Sequence, residues 1–167
     1  MSEATNLIFI FGAQYLYLAI IIIASIWFFT QPKPRQREIL LITCICLPLA
    51  LIIFEIAARI YYNPRPFVLG HFAPLVAHKA DNGFPSHHML LASLIPAIIF
   101  LFDRRASLSL LILALFVGFS RVYAGVHHVI DIAGSLFIAV SAVTLSYFFV
   151  KYLKSRKLRI FGRDSGR

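Results

Sequence analysis

The chain lacks most of what a soluble or secreted domain is built with. Of its 167 residues only seven are acidic and 14% carry charge, against 60% that are hydrophobic. The mean hydropathy of +0.83 lies far outside the range of soluble domains. Two cysteines, Cys44 and Cys46, form one C-x-C inside an apolar run. A zinc site or disulfide framework needs more ligands at other spacings, so both read as small buried hydrophobes. No basic segment precedes the first apolar run, which is too long for a cleavable signal and reads as a retained membrane helix. Repeats and low-complexity stretches are absent as well.

What the chain does have is long apolar runs. A crossing takes about 20 apolar residues, and five segments qualify by run length and by the punctuation between them: 7–29, 38–62, 86–102, 106–123 and 127–150. The second ends ahead of Asn63-Pro64, because the residue before proline disfavours helix. The expected fold is therefore all-α, a single membrane helical bundle of about five transmembrane helices with a basic tail over 151–167. The one long connection, 63–85, carries prolines, aromatics and histidines. A connection of that length in a compact domain points to function.

The net charge of +9 does not indicate nucleic acid, because the basic residues sit in short loops and the tail rather than on a soluble basic surface. Lys33, Arg35 and Arg37 lie after the first span, and Arg104 and Arg105 after the third. Lys151, Lys154, Arg156, Lys157, Arg159, Arg163 and Arg167 lie in the tail. These twelve share one side, which the positive-inside rule assigns to the cytoplasm. The expected location is the cell (inner) membrane, with the C-terminus cytoplasmic and the opposite face extracytoplasmic.

That opposite face receives all six histidines, His71, His78, His87, His88, His127 and His128, together with Arg59, Arg65, Lys79 and Arg121. Ionisable residues at membrane depth are functional by default. Three segments converge there. In the third, His127 and Asp131 are four apart and share a helical face. A carboxylate so placed fixes an imidazole's tautomer and stabilises its charged form. Arg121 precedes a turn at Ala124-Gly125 that folds it back toward His127, and a guanidinium fits a phosphoryl oxygen. In the second segment Ser86 is an N-cap candidate, the free amides beyond it favour an anion, and His88 is placed to protonate a leaving oxygen. The first segment supplies Arg65 ahead of Pro66. Read singly, each also has a plain structural explanation: a capped helix start, interfacial histidines, a snorkelling arginine.

Ser120-Arg121 through His127 to Asp131 resembles the third signature of the type 2 phosphatidic acid phosphatase superfamily. Pro85-Ser86-His87-His88 resembles its second and Arg65-Pro66 the end of its first. The stretch from Pro64 to Ser86 is similar to that of the small bacterial undecaprenyl-diphosphate phosphatases. The resemblance implies metal-independent phosphoryl transfer without a cofactor, on a polyprenyl or other lipid phosphate. It makes His127 the nucleophile, His88 the acid and base, and Asp131 the orienting carboxylate, with Arg65, Arg121, Ser86, His87 and Ser120 around the phosphate. Two departures stand out. The first-signature lysine is replaced by Ala58, so Arg59 or Lys79 is the candidate for its charge, and His87 stands where relatives have glycine or aspartate. A histidine metal site is the rival reading, opposed by two arginines that repel a cation. A lipid phosphotransferase, a phosphatase of phosphatidylglycerophosphate, phosphatidate or lipid A, and a non-enzymatic lipid carrier also remain open. The oligomeric state is not legible.

Overall fold

The structure, a computed structural model, describes residues 3–164, with side-chain surroundings described as far as Arg156. Arg167 lies outside the described residues, as do the side chains of Lys157, Arg159 and Arg163. The architecture is all-helical. Seven helices follow one another: α1 (Glu3–Gln14), α2 (Leu16–Thr30), α3 (Lys33–Ile60), the short α4 (Pro66–Leu69), α5 (His87–Phe100), α6 (Arg104–Tyr123) and α7 (Val129–Asp164).

Several boundaries differ from the hydropathy reading, each for a local reason. The segment 7–29 is not one straight helix, because α1 and α2 meet at Tyr15 with a 54° bend. Phe9 of α1 packs against Phe116, Phe119 and Tyr123 of α6, which turns α1 across the end of α6. Gly12 makes that approach feasible, since a Cβ there would run into Ser120 Oγ. α3 begins at Lys33 rather than Glu38, because Pro34 suits a first helical turn and Gln36 Nε2 donates to Gln31 O at 2.8 Å. α6 begins at Arg104 rather than Ala106, because Asp103 accepts from the amides of Arg105 and Ala106. The basic tail is no separate element as far as Asp164, since α7 continues to that residue.

Three helices, α3, α6 and Val129–Arg156 of α7, are long and apolar enough to cross a membrane, and the bent α1–α2 pair makes a fourth; α5 is a shorter apolar helix. α5 is the central element. One of its faces packs Leu90, Leu94 and Ile98 against Cys46, Ala50 and Phe54 of α3 and Ile138, Ala139, Ala142 and Val143 of α7. Its other face sets Ala92 and Ile99 against Ile20, Leu110, Ala114 and Val117 of α2 and α6. The many alanines let backbones approach closely, which is how helices associate where lipid removes the hydrophobic driving force. Outside, Ile26, Phe29, Ile112, Phe137 and Phe148 stand exposed, an apolar surface suited to acyl chains rather than water. Cys46 is buried in the core and Cys44 exposed, both free thiols.

At one end of this bundle lie the C-termini of α3 and α6, the N-termini of α5 and α7, and the α1–α2 break. Chain parity brings them together. The connection 70–86 closes over them, held by Leu75 N to Ala124 O at 3.0 Å and Gly83 N to Asn63 O at 2.8 Å. At the other end Lys154 meets Glu38 at 2.6 Å and Trp27 Nε1 donates to Asp103 at 3.3 Å.

Candidate active site

His127 lies in the turn ahead of α7, outside the helix, and is 3% exposed. Its Nδ1 is 3.2 Å from Asp131 Oδ2, so the proton on that nitrogen points to a carboxylate. Its Nε2 is faced by Arg65 Nη1 at 3.3 Å and Arg121 Nη2 at 3.4 Å. A guanidinium only donates. Two donors at Nε2 and an acceptor at Nδ1 leave one neutral tautomer, with the Nε2 lone pair directed at the arginines. Burial pulls the His127 pKa below its ordinary value; Asp131 pulls upward, and Arg121 and Arg65 pull down again. The ring is therefore neutral near pH 7, as a nitrogen nucleophile must be.

Asp131 is completely buried and accepts two further hydrogen bonds. Asn63 Nδ2 donates to Oδ1 at 2.7 Å and the His128 amide to Oδ2 at 2.8 Å. The carboxylate is thus pinned from the end of α3 as well as from its own helix. Arg65 is held equally firmly. Its Nε bonds Asp81 at 2.8 Å, Nη1 the Val126 carbonyl at 2.8 Å, and Nη2 the Asn82 carbonyl at 3.3 Å. Asn82 itself ties the amides of Asn63 and Phe84 to the carbonyls of Ala58 and Tyr61. It fixes the end of α3 to the approach to α5.

Arg121 returns beside His127 because Gly125 takes φ +75°, a left-handed turn that suits glycine. Its Nη1 donates to the Ala13 carbonyl at 3.3 Å, an acceptor released where α1 stops. Arg121 Nε, Ser86 Oγ and His78 Nδ1 are all buried without a hydrogen-bond partner. Unsatisfied buried polar atoms are uncommon and call for an explanation; of the four among the described residues, Arg121 Nε and His78 Nδ1 belong to residues that line one cavity, whereas Ser146 Oγ lies on α7. That cavity, of about 320 Å³, is lined by Gln14, Tyr15, Val76, Ala77, His78, His88 and Arg121. His88, in the first turn of α5, packs edge-on against Tyr17 at 5.0 Å.

Of the residues named from sequence, His127, Asp131, Arg65 and Arg121 form one connected group, and His88 shares the cavity with Arg121. Others fall elsewhere. Ser120 turns away from the site, donating to Phe116 O at 2.7 Å and facing Gly12. His87 packs on Phe54 at 4.1 Å, because successive helical residues point about 100° apart. Arg59 and Lys79 are exposed. Ser86 precedes α5 but makes no capping bond, and its amide donates to Asp131 O at 3.3 Å. Asn63, Asp81, Asn82 and His78 had no assigned role in the sequence reading. Asn63 reaches a partner 68 residues away and Asp81 one 16 away, and only the proline and glycine punctuation of the long connection hinted at them. Among the described residues no three His, Cys, Asp or Glu side chains gather as a metal site.

Comparison with known proteins places the chain in a family. The PAP2 superfamily matches residues 38–155. Undecaprenyl-diphosphatase BcrC of Bacillus subtilis is 32% identical over 90% of this chain and 76% of its own. The bacitracin transport permease protein BcrC of Bacillus licheniformis is 31% identical over 87% and 70%. Among solved structures, Aquifex aeolicus LpxE superposes with a TM-score of 0.71 at 18% identity, covering 88% of this chain and 87% of that one. A PAP2-type phosphatidylglycerolphosphate phosphatase from Bacillus subtilis gives 0.59 at 27% identity, covering 91% and 79%. With the family match spanning residues 38–155, from α3 into α7, the chain belongs to the PAP2 superfamily and is a membrane lipid phosphatase.

Proposed function

We propose that the protein hydrolyses undecaprenyl diphosphate, or a polyprenyl diphosphate like it, to the monophosphate and inorganic phosphate through a phosphohistidine on His127. The observation that carries this reading is the enforced tautomer of His127, with its Nε2 lone pair between two guanidinium groups. Nε2 attacks the terminal phosphorus, the bond to the bridging oxygen breaks, and His88 gives that oxygen a proton. His88 then takes a proton from water, whose oxygen attacks the phosphorus and breaks the P–N bond. Arg65, Arg121 and Ser86 Oγ bind the equatorial oxygens, where charge accumulates in the transition state. Asp131 stabilises the cationic ring of the intermediate.

In this reading the single domain crosses the membrane five times, with the basic residues cytoplasmic and the site on the extracytoplasmic side. The relatives named undecaprenyl-diphosphatase support the substrate, and the likeness to a phosphatidylglycerolphosphate phosphatase makes that lipid the second candidate. Phosphate release by purified protein is measured over undecaprenyl diphosphate, phosphatidylglycerophosphate, phosphatidate and lipid A. The diphosphate is expected to turn over fastest, and His127→Ala to abolish release and phosphoenzyme alike. A His127→Ala protein with normal turnover sinks the mechanism; a faster rate on another lipid sinks the substrate assignment.

A further inference from the structure

The mechanism above leaves part of the cavity without a task. The transferred phosphoryl group sits at His127 Nε2 against Arg65 and Arg121, and His88 serves the bridging oxygen. Yet the cavity holds about 320 Å³ and is lined as well by Gln14, Tyr15 and His78. The His78 ring stands edge-on to His127 with centroids 6.1 Å apart, and its Nδ1 is buried with nothing to bond. Lys79, next to it, is exposed and does not line the cavity. Beyond the arginine already engaged with His127, His78 and His88 are the cavity's remaining sources of positive charge.

We infer that His78 binds the lipid-side phosphate of a diphosphate substrate, making it the residue that favours diphosphates over monophosphates. This rests on the diphosphate reading above. Burial, Arg65, Arg121 and His127 push the His78 pKa down to about 4, with Asp81 pulling the other way. An arriving phosphate offsets the arginine charge, so the ring gains a proton as the second phosphate settles beside it. Tyr15 and Gln14, on the α1–α2 break, offer neutral donors in the same cavity, and His88 faces the group from α5.

The test compares wild type with His78→Gln and His78→Asn, using a polyprenyl diphosphate as substrate and inorganic pyrophosphate and inorganic phosphate as competing inhibitors. Loss of a charge-assisted hydrogen bond predicts that KM and the pyrophosphate Ki rise about tenfold or more in both variants. The phosphate Ki is expected to move far less, which also shows that the arginine site is still folded. Equal rises in the two Ki values, or an unchanged pyrophosphate Ki, overturn the assignment. If wild type releases no phosphate from the diphosphate at all, the substrate reading itself has failed and this inference falls with it.

Discussion

Asp131→Asn is the sharpest test of the proposed chemistry, because the amide is nearly isosteric and removes little besides charge. The side chain is fully buried and accepts three hydrogen bonds, from His127, Asn63 and the His128 amide. An asparagine keeps the two bonds at Oδ2 by turning its oxygen there, and Asn63 flips to accept at the other position, so the fold survives. What is lost is the attraction between a carboxylate and the cation formed when His127 carries phosphate. At the observed 3.2 Å contact, charge centres about 4 Å apart at an effective dielectric of about 20 interact by ~4 kcal/mol. That corresponds to a roughly thousandfold slower first step. Rapid-quench measurement of a single turnover resolves it as slow phosphoenzyme formation, with the melting temperature in detergent as the control for folding. A variant that turns over within tenfold of wild type refutes the assignment of Asp131 as the partner of the phosphohistidine.

Other outcomes follow from the same contacts. Asn63→Ala deletes one bond to a buried carboxylate and should lower kcat by about tenfold and stability by about 1–3 kcal/mol, measured by steady-state kinetics and melting. Gly12→Ala drives a methyl into Ser120 Oγ and should cost about 1–3 kcal/mol of stability. Adding Ser120→Ala should restore part of it in a double-mutant cycle, whereas a phosphate-binding Ser120 would instead show its loss in kcat. The folded His78 pKa of about 4 lies below the ordinary 6.5, so the unfolded chain protonates first on acidification. The stabilisation from neutral His78 is complete above 6.5 and drains away as pH falls toward about 4. Melting temperatures from pH 7 to 4.5 should therefore fall less steeply in His78→Gln than in wild type.

Much of this was legible in the residues. The apolar runs and the parity of their ends were enough to bring Arg65, His88, Arg121, His127 and Asp131 to one end of a helical bundle. The spacing of His127 and Asp131 anticipated their hydrogen bond, and Gly125 the turn that returns Arg121. Two kinds of information were out of reach. Helix starts at Lys33 and Arg104 were set by proline and an Asp103 cap, which a hydropathy criterion treats as loop. The bend at Tyr15 has no proline to announce it, because it comes from the packing of Phe9 on α6. The partners of the site were hidden for a related reason. Asn63 reads locally as a turn residue before proline, and only the folded chain shows that its amide reaches Asp131. His87 and Ser120 were misplaced by adjacency: each neighbours a site residue in sequence and faces another way on its helix.

The carbonyl of Ala13 has a practical consequence. Because Arg121 leans on an acceptor that exists only where α1 ends, α1 is a wall of the reaction chamber. Fusions or deletions at the amino end would then mimic damage to the chemistry while leaving the rest of the bundle intact. Affinity tags, fluorescent reporters and crystallisation partners belong at the carboxyl end, where α7 runs on well past the core.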